Sequence, residues 1–214
     1  MSASPTERIL RRRLLAAAVI GAPEHAVPLA RALLAGGLDV MEVTFRNPYA
    51  PDCVRRIREN VPAMTVGAGT LLTPAQVDAA RDSGAQFGVS PGFNPAVVRH
   101  AVAQRFAFVP GVFTPGEMEQ SVELGCPLVK LFPAVAAGGH DFIRAIAAPY
   151  GHTALRIIPF GGINEANLAG YLALPLVAAV GGSWLTDRRL AAAGAWDEIT
   201  ERTRRALHLA QSTS

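Results

Sequence analysis

Residues 64–83 read MTVGAGTLLTPAQVDAARDS, and this stretch decides the fold. It opens with a short apolar run, 64–70, of strand length. It then passes through Thr73-Pro74 into helical periodicity that lasts to Ser83. A threonine just before a helix accepts an otherwise orphan backbone N–H, and a proline at the first helical position has no N–H to lose. One strand followed by one helix in about twenty residues is a βα unit.

Working outward, the same alternation fills the chain. Apolar runs fall at 15–20, 38–45, 64–70, 86–90, 106–110, 127–132, 155–160 and 176–183. Helical patterns fall between and after them, at 24–35, 51–60, 74–83, 95–104, 115–124, 140–148, 165–172 and 190–209. Asn94-Pro95 and Thr114-Pro115 repeat the helix-start signal. Eight such units imply parallel pairing through right-handed crossovers. The expectation is α/β, a (β/α)8 TIM barrel, one domain over 1–214 with a helical lead-in at 5–13. An open doubly wound sheet is the alternative. Gly67-Ala68-Gly69 could seed a dinucleotide loop, but Leu72 occupies the third glycine position and no acidic residue follows a clear second strand.

Composition agrees with a large apolar core. Of 214 residues half are hydrophobic and 17% charged, and the formal net charge is +3. That charge is too small and too scattered for a disordered chain or a basic nucleic-acid platform. Two cysteines, Cys53 and Cys126, allow neither a disulfide framework nor a zinc cluster, and point to a reducing, cytoplasmic setting. No apolar run approaches the ~20 residues of a membrane span. Arg11-Arg12-Arg13 before an apolar run resembles a secretory signal, but cleavage after Ala22 would remove a strand that the repeat requires.

In such a barrel, chemistry collects at the C-terminal ends of the strands. In the second strand, alternation puts Val40, Glu42, Thr44 and Arg46 on one face and Met41, Val43 and Phe45 on the other. The apolar face suits the helices, so Glu42 points inward and Arg46 sits near the mouth, either as functional groups or as a buried structural ion pair. In the sixth strand a lone lysine, Lys130, interrupts an apolar run and shares its face with Leu128 and Phe132. Removing an amine from water favours its neutral form, which attacks a carbonyl carbon. The alternative is a snorkelling lysine paired with an acid. The seventh and eighth strands end in Phe160-Gly161-Gly162 and Gly181-Gly182-Ser183-Trp184, where backbone N–H groups can approach a phosphate, with Asn164 capping the next helix. The five histidines show no paired ligand spacing, so no metal is expected.

These motifs resemble the 2-keto-3-deoxy-6-phosphogluconate (KDPG) aldolases, which overlap with the 4-hydroxy-2-oxoglutarate (KHG) aldolases. The matching segments are Glu24-His25-Ala26-Val27-Pro28, Glu42-Val43-Thr44-Phe45-Arg46, Val66-Gly67-Ala68-Gly69-Thr70 and Ser90-Pro91-Gly92. They continue through Val129-Lys130-Leu131-Phe132-Pro133-Ala134, Gly161-Gly162-Ile163 and Gly181-Gly182-Ser183-Trp184-Leu185. The resemblance implies a class I aldolase, without metal or other cofactor, assembled as a homotrimer. By position, Lys130 would form the Schiff base and Glu42 would act as acid–base. Arg46 and Thr70 would contact the keto acid, and Pro91 and Phe132 would line the pocket. Gly161, Gly162, Gly182 and Ser183 would hold a phosphate. Phe160 departs from the family pattern, which has Thr or Val before the Gly-Gly pair, so the preferred sugar acid is open. Alanines at 16–18 replace a proline usual in the first strand. An aldolase for an unphosphorylated 2-keto acid, or a silent barrel that binds a phosphorylated metabolite, are the rival readings.

Overall fold

The computed structural model describes residues 4–213; residues 1–3 and 214 of the expected domain lie outside the described residues. Helix α1 (Pro5–Arg12) comes first, capped by Ser4 and Glu7 in a reciprocal capping box. Strand β1 (Leu14–Ala18) then leads through a single 3₁₀ turn at Pro23–His25 into α2 (Ala26–Ala35). The alternation continues with β2 (Val40–Thr44), α3 (Ala50–Asn60), β3 (Thr65–Gly69), α4 (Pro74–Asp82), β4 (Gly88–Val89) and α5 (Pro95–Ala103). The fifth strand, expected at 106–110, is β5 (Phe108–Val109), and the chain pairs again beyond the expected run as β6 (Gly111–Val112), after Pro110, which has no N–H for the ladder. There follow α6 (Pro115–Glu123), β7 (Leu128–Leu131), α7 (Gly139–Tyr150), β8 (Arg156–Pro159), α8 (Leu168–Leu172), β9 (Val180–Gly182), α9 (Arg188–Ala192) and α10 (Trp196–Ser212).

This is an α/β fold with a curled parallel sheet wrapped by helices. All pairings between strands are parallel, in the orders β5-β4-β3-β2-β1-β9 and β6-β7-β8. The two orders meet at Pro110, whose carbonyl accepts from the Lys130 N–H at 2.8 Å. At the other side Ile157 N–H donates to Leu176 and Ala178 N–H donates back to Ile157, a parallel bridge leading toward β9. Strands β1, β2 and β3 are buried at every position, the burial expected of a parallel sheet covered on its outer side.

The local signals held where chemistry sets them. Thr73 and Thr114 cap α4 and α6 with Gln76 and Glu117 completing capping boxes, and Asn94 caps α5. Two helix readings need correction. The single helix expected at 190–209 is two, α9 and α10, broken at Gly194 with φ +65°. The helix expected at 165–172 begins only at Leu168 with Asn167 as its N-cap residue, so Asn164 caps the preceding turn, accepting from the Ala166 N–H. The signal-like arginines belong to the fold: Arg11 and Arg12, with Arg8, converge on buried Asp39 at the start of the second strand segment. Arg13 donates to the carbonyls of Leu172 and Thr213. Burial alone would raise the Asp39 pKa, but the Arg12 hydrogen bond and the charges of Arg12 and Arg11 outweigh it and hold the carboxyl below its usual range.

Candidate active site

Five strand ends, those of β1, β2, β7, β8 and β9, bring together a cavity of about 240 Å³. Among the described residues its lining includes Glu42, Thr44 and Arg46 from β2 and the loop after it, and Lys130 and Phe132 from β7 and its end. Phe160, Gly161 and Gly162 follow β8, and Gly182 and Ser183 close the far side beside Ala17 and Val19. The strand parity read from sequence therefore holds, since the inward side chains at 42, 44 and 130 meet across the sheet.

Lys130 is the chain's one lysine; the other nineteen basic residues are arginines. It is 6% exposed, and its Nζ lies 3.5 Å from Oε1 of Glu42, itself 1% exposed. The second Glu42 oxygen, Oε2, is buried with no protein hydrogen bond. A carboxylate oxygen left open in an apolar wall is costly unless water or a ligand hydroxyl meets it. The Glu42–Arg46 pair weighed from sequence is not the arrangement found. Glu42 pairs with Lys130, and Arg46, exposed at the mouth, donates from Nε to Thr70 Oγ1 at 3.3 Å.

Backbone details hold these groups in place. A Cβ on Gly69 would lie 2.8–3.1 Å from the Glu42 carboxyl atoms, so the absence of a side chain there creates the carboxylate's seat. Thr70, next along, sits at φ +63°, a left-handed conformation that is uncommon for a β-branched residue. Thr44 donates its hydroxyl to the Ala18 carbonyl at 3.1 Å, tying β2 to β1 below the cavity. Gly161 and Gly162 turn the chain at φ +91° and +86°.

Sequence reasoning placed most of the wall and missed some of it. Pro91, expected on the wall, is not in the lining; it backs onto Gly111, where a Cβ would lie 2.3 Å from the Pro91 carbonyl carbon, and Gly111 is the residue paired with Lys130. Thr70 is not in the lining and meets the site through its hydrogen bond with Arg46. Ala17, one of the alanines at 16–18 set apart in the sequence, lines the cavity. Thr44, Val19 and Ile163 also line it without having been given a site role, although the period-2 spacing of Thr44 between Glu42 and Arg46 carried the signal. Phe160 turns inward, 4% exposed, with its ring centroid 4.1 Å from Lys130 Nζ; the Phe132 ring lies farther, at 5.6 Å. Among the described residues no group of three or more His, Cys, Asp or Glu comes together that could hold a metal ion. Both cysteines are buried, and burial first, with the Asp52 charge second, pushes the Cys53 thiol up to about 11, away from nucleophile behaviour.

A buried amine and a buried carboxyl facing one cavity at the strand ends of an α/β fold define an enzyme of carbonyl chemistry. Comparison with known proteins narrows the class. Residues 6–202 match the family model described as KDPG and KHG aldolase. The chain is 42% identical over 203 residues to the 2-dehydro-3-deoxy-phosphogluconate aldolase of Treponema pallidum, covering 95% of this chain and 96% of that one. It is 42% identical over 184 residues to the KHG/KDPG aldolase of Escherichia coli K12, covering 86% and 85%. A solved KDPG aldolase from Legionella pneumophila, with pyruvate captured at low pH as a covalent carbinolamine, superposes with a TM-score of 0.90 at 35% identity over 94% of this chain and 97% of that one. The chain belongs to the KDPG and KHG aldolase family, and it is an aldolase, a lyase.

Proposed function

We propose that this aldolase reversibly cleaves a 2-keto-3-deoxy-6-phospho sugar acid to pyruvate and glyceraldehyde 3-phosphate through a Schiff base on Lys130. The observation that carries the proposal is the buried Lys130–Glu42 pair, 3.5 Å apart, with one Glu42 oxygen open. Lys130 Nζ attacks the substrate's C2 carbonyl, and the oxygen leaves as water, giving an iminium. Glu42 takes the C4-hydroxyl proton through a water. The C3–C4 bond breaks, its electrons enter the iminium to form an enamine, and the aldehyde leaves. Glu42 then returns the proton to C3, and water releases pyruvate from Lys130. Arg46, held by Thr70, suits the substrate carboxylate, while Gly161, Gly162, Gly182 and Ser183 form a backbone-rich rim suited to phosphate.

The same reading takes the curled sheet as a closed (β/α)8 barrel in one domain with α1 as its lead-in. The hydrogen bonds at Pro110 and at Ile157 support closure. Family resemblance supports a homotrimer working in the cytoplasm, and no helix of the described residues is long and apolar enough to cross a membrane.

Pyruvate with borohydride tests the chemistry. With one lysine in the chain, intact mass and peptide mapping should find one reduced side-chain adduct, at Lys130, absent in Lys130→Ala. No adduct on Lys130 refutes the imine. A second reading, an aldolase for 4-hydroxy-2-oxoglutarate or another less hydroxylated, unphosphorylated 2-keto acid, is favoured by Phe160, whose ring offers the cavity no hydrogen-bonding group. Comparing kcat/KM for gluconate-type, galactonate-type and hydroxyglutarate substrates separates the two.

A further inference from the structure

We propose that Phe160 is a further catalytic residue beside Lys130, its ring face stabilising the iminium cation relative to the uncharged carbinolamine that precedes it. The inference rests on the Schiff-base reading above and adds a residue to its machinery. Phe160 directly follows β8, and its N–H donates to the Leu131 carbonyl at 2.9 Å, which fixes its backbone beside the lysine strand. Its ring lies over Gly181 of β9, with ring carbons 2.0 Å from where a Cβ would stand. The ring therefore occupies a slot that only glycine leaves open, and it is 4% exposed. Lys130 Nζ is consequently flanked by Glu42 Oε1 at 3.5 Å and by the Phe160 ring centroid at 4.1 Å. The Phe132 ring, at 5.6 Å, is at the outer limit of the same interaction.

The charge on this nitrogen changes during the reaction. In the carbinolamine Nζ is uncharged and bonded to C2, which still carries the former carbonyl oxygen as a hydroxyl. A proton from solvent adds to that hydroxyl, the C–O bond breaks, and water leaves. The nitrogen lone pair forms the second C–N bond, so positive charge appears on Nζ and C2. An aromatic face attracts a cation and is nearly indifferent to the uncharged adduct. The ring should thus shift this equilibrium toward iminium by roughly 2- to 30-fold, the span between exposed and desolvated cation–ring contacts.

The test keeps the ring's shape and removes its charge distribution. The full chain is prepared with mono- and then 3,4,5-trifluorophenylalanine at position 160, and Phe160→Leu is prepared alongside. Carbon NMR with pyruvate labelled at C2 distinguishes the tetrahedral carbinolamine from the trigonal iminium, and borohydride, which reduces only the iminium, gives a second measure. The iminium-to-carbinolamine ratio should fall stepwise with fluorination, by roughly 2- to 30-fold at the trifluoro protein, with Phe160→Leu at least as low. An unchanged ratio in the fluorinated proteins overturns the inference, even if Phe160→Leu lowers it, because the ring would then act by filling space. Absence of both adducts on Lys130 in the unsubstituted protein overturns the Schiff-base reading itself, and this inference with it.

Discussion

Replacing Gly69 by alanine adds one methyl group and removes no polar atom, yet it should disable the proton-transfer step. The new Cβ would stand 2.8 Å from the Glu42 carboxyl carbon and 2.9 and 3.1 Å from its oxygens. Ordinary contact requires ~3.5–4.0 Å, so something must move by roughly 0.5–1 Å. The Gly69 backbone cannot readily give. It lies opposite Thr44 in the β2–β3 register, and its carbonyl accepts from the Phe45 N–H at 2.7 Å. The carboxylate must move instead, and with it the 3.5 Å approach to Lys130.

Misplacing a catalytic group by ~1 Å costs about 10²-fold in rate, and overpacking a buried site costs roughly 1–3 kcal/mol of stability. Gly69→Ala should therefore lower kcat for aldol cleavage about 100-fold. Borohydride trapping of pyruvate on Lys130 should persist, because the amine itself is not displaced by contact. Gly116→Ala serves as control, since nothing lies within 4 Å of its added Cβ, and it should retain full activity. Cleavage by Gly69→Ala within about threefold of the unsubstituted enzyme would refute the claim that this glycine seats Glu42.

Glu42→Gln should keep imine formation but slow turnover by roughly 10²–10⁴-fold, measured by trapping and steady-state kinetics in parallel. Asp39→Asn removes a carboxylate shared by three arginines and should cost about 1.5–3 kcal/mol, a fall in Tm of roughly 3–12 °C near neutral pH. Because the folded Asp39 pKa is depressed, its contribution is complete above the unfolded value and is lost as pH falls through the folded one. The Tm gap between the two proteins should therefore close only below about pH 4. A gap independent of pH would contradict the ionic role. Dialysis against EDTA should leave cleavage unchanged, and activity restored by a divalent cation would contradict the imine mechanism.

Sequence made the site legible wherever chemistry broke a local pattern. A lysine inside 127–132 and a glutamate inside 38–45 each violate an apolar run, and period-2 alternation then states which way they face. It could not state that they face each other. Lys130 and Glu42 belong to β7 and β2, which do not pair, and only the curl of the sheet brings them to 3.5 Å. Sequence offered Arg46 as the alternative partner because it lies four residues from Glu42 on the same strand face, whereas the partner found is 88 residues away. A composition signal also went unused, since a chain with nineteen arginines and one lysine reserves its only side-chain amine for this position.

The strand glycines were the least legible feature, and the reason is physical. Read locally, Gly67-Ala68-Gly69 and Gly181-Gly182 look like turns or phosphate loops, because an isolated strand gains nothing from glycine. In the folded sheet these positions are sockets for side chains from elsewhere in the fold. The Phe87 ring lies 2.4 Å from the Cβ position of Gly67, Glu42 fills the space at Gly69, Phe108 fills that at Gly88, and Phe160 fills that at Gly181. Two of these four sockets hold packing rings, and two hold the groups that flank Lys130. The interior is thus filled by pairing a large inward side chain with a missing one, and the Glu42 carboxyl is seated by the same device that packs the core. A substitution at Gly69 or Gly181 should accordingly act on the reaction through Glu42 or Phe160, whereas one at Gly67 should act on stability alone.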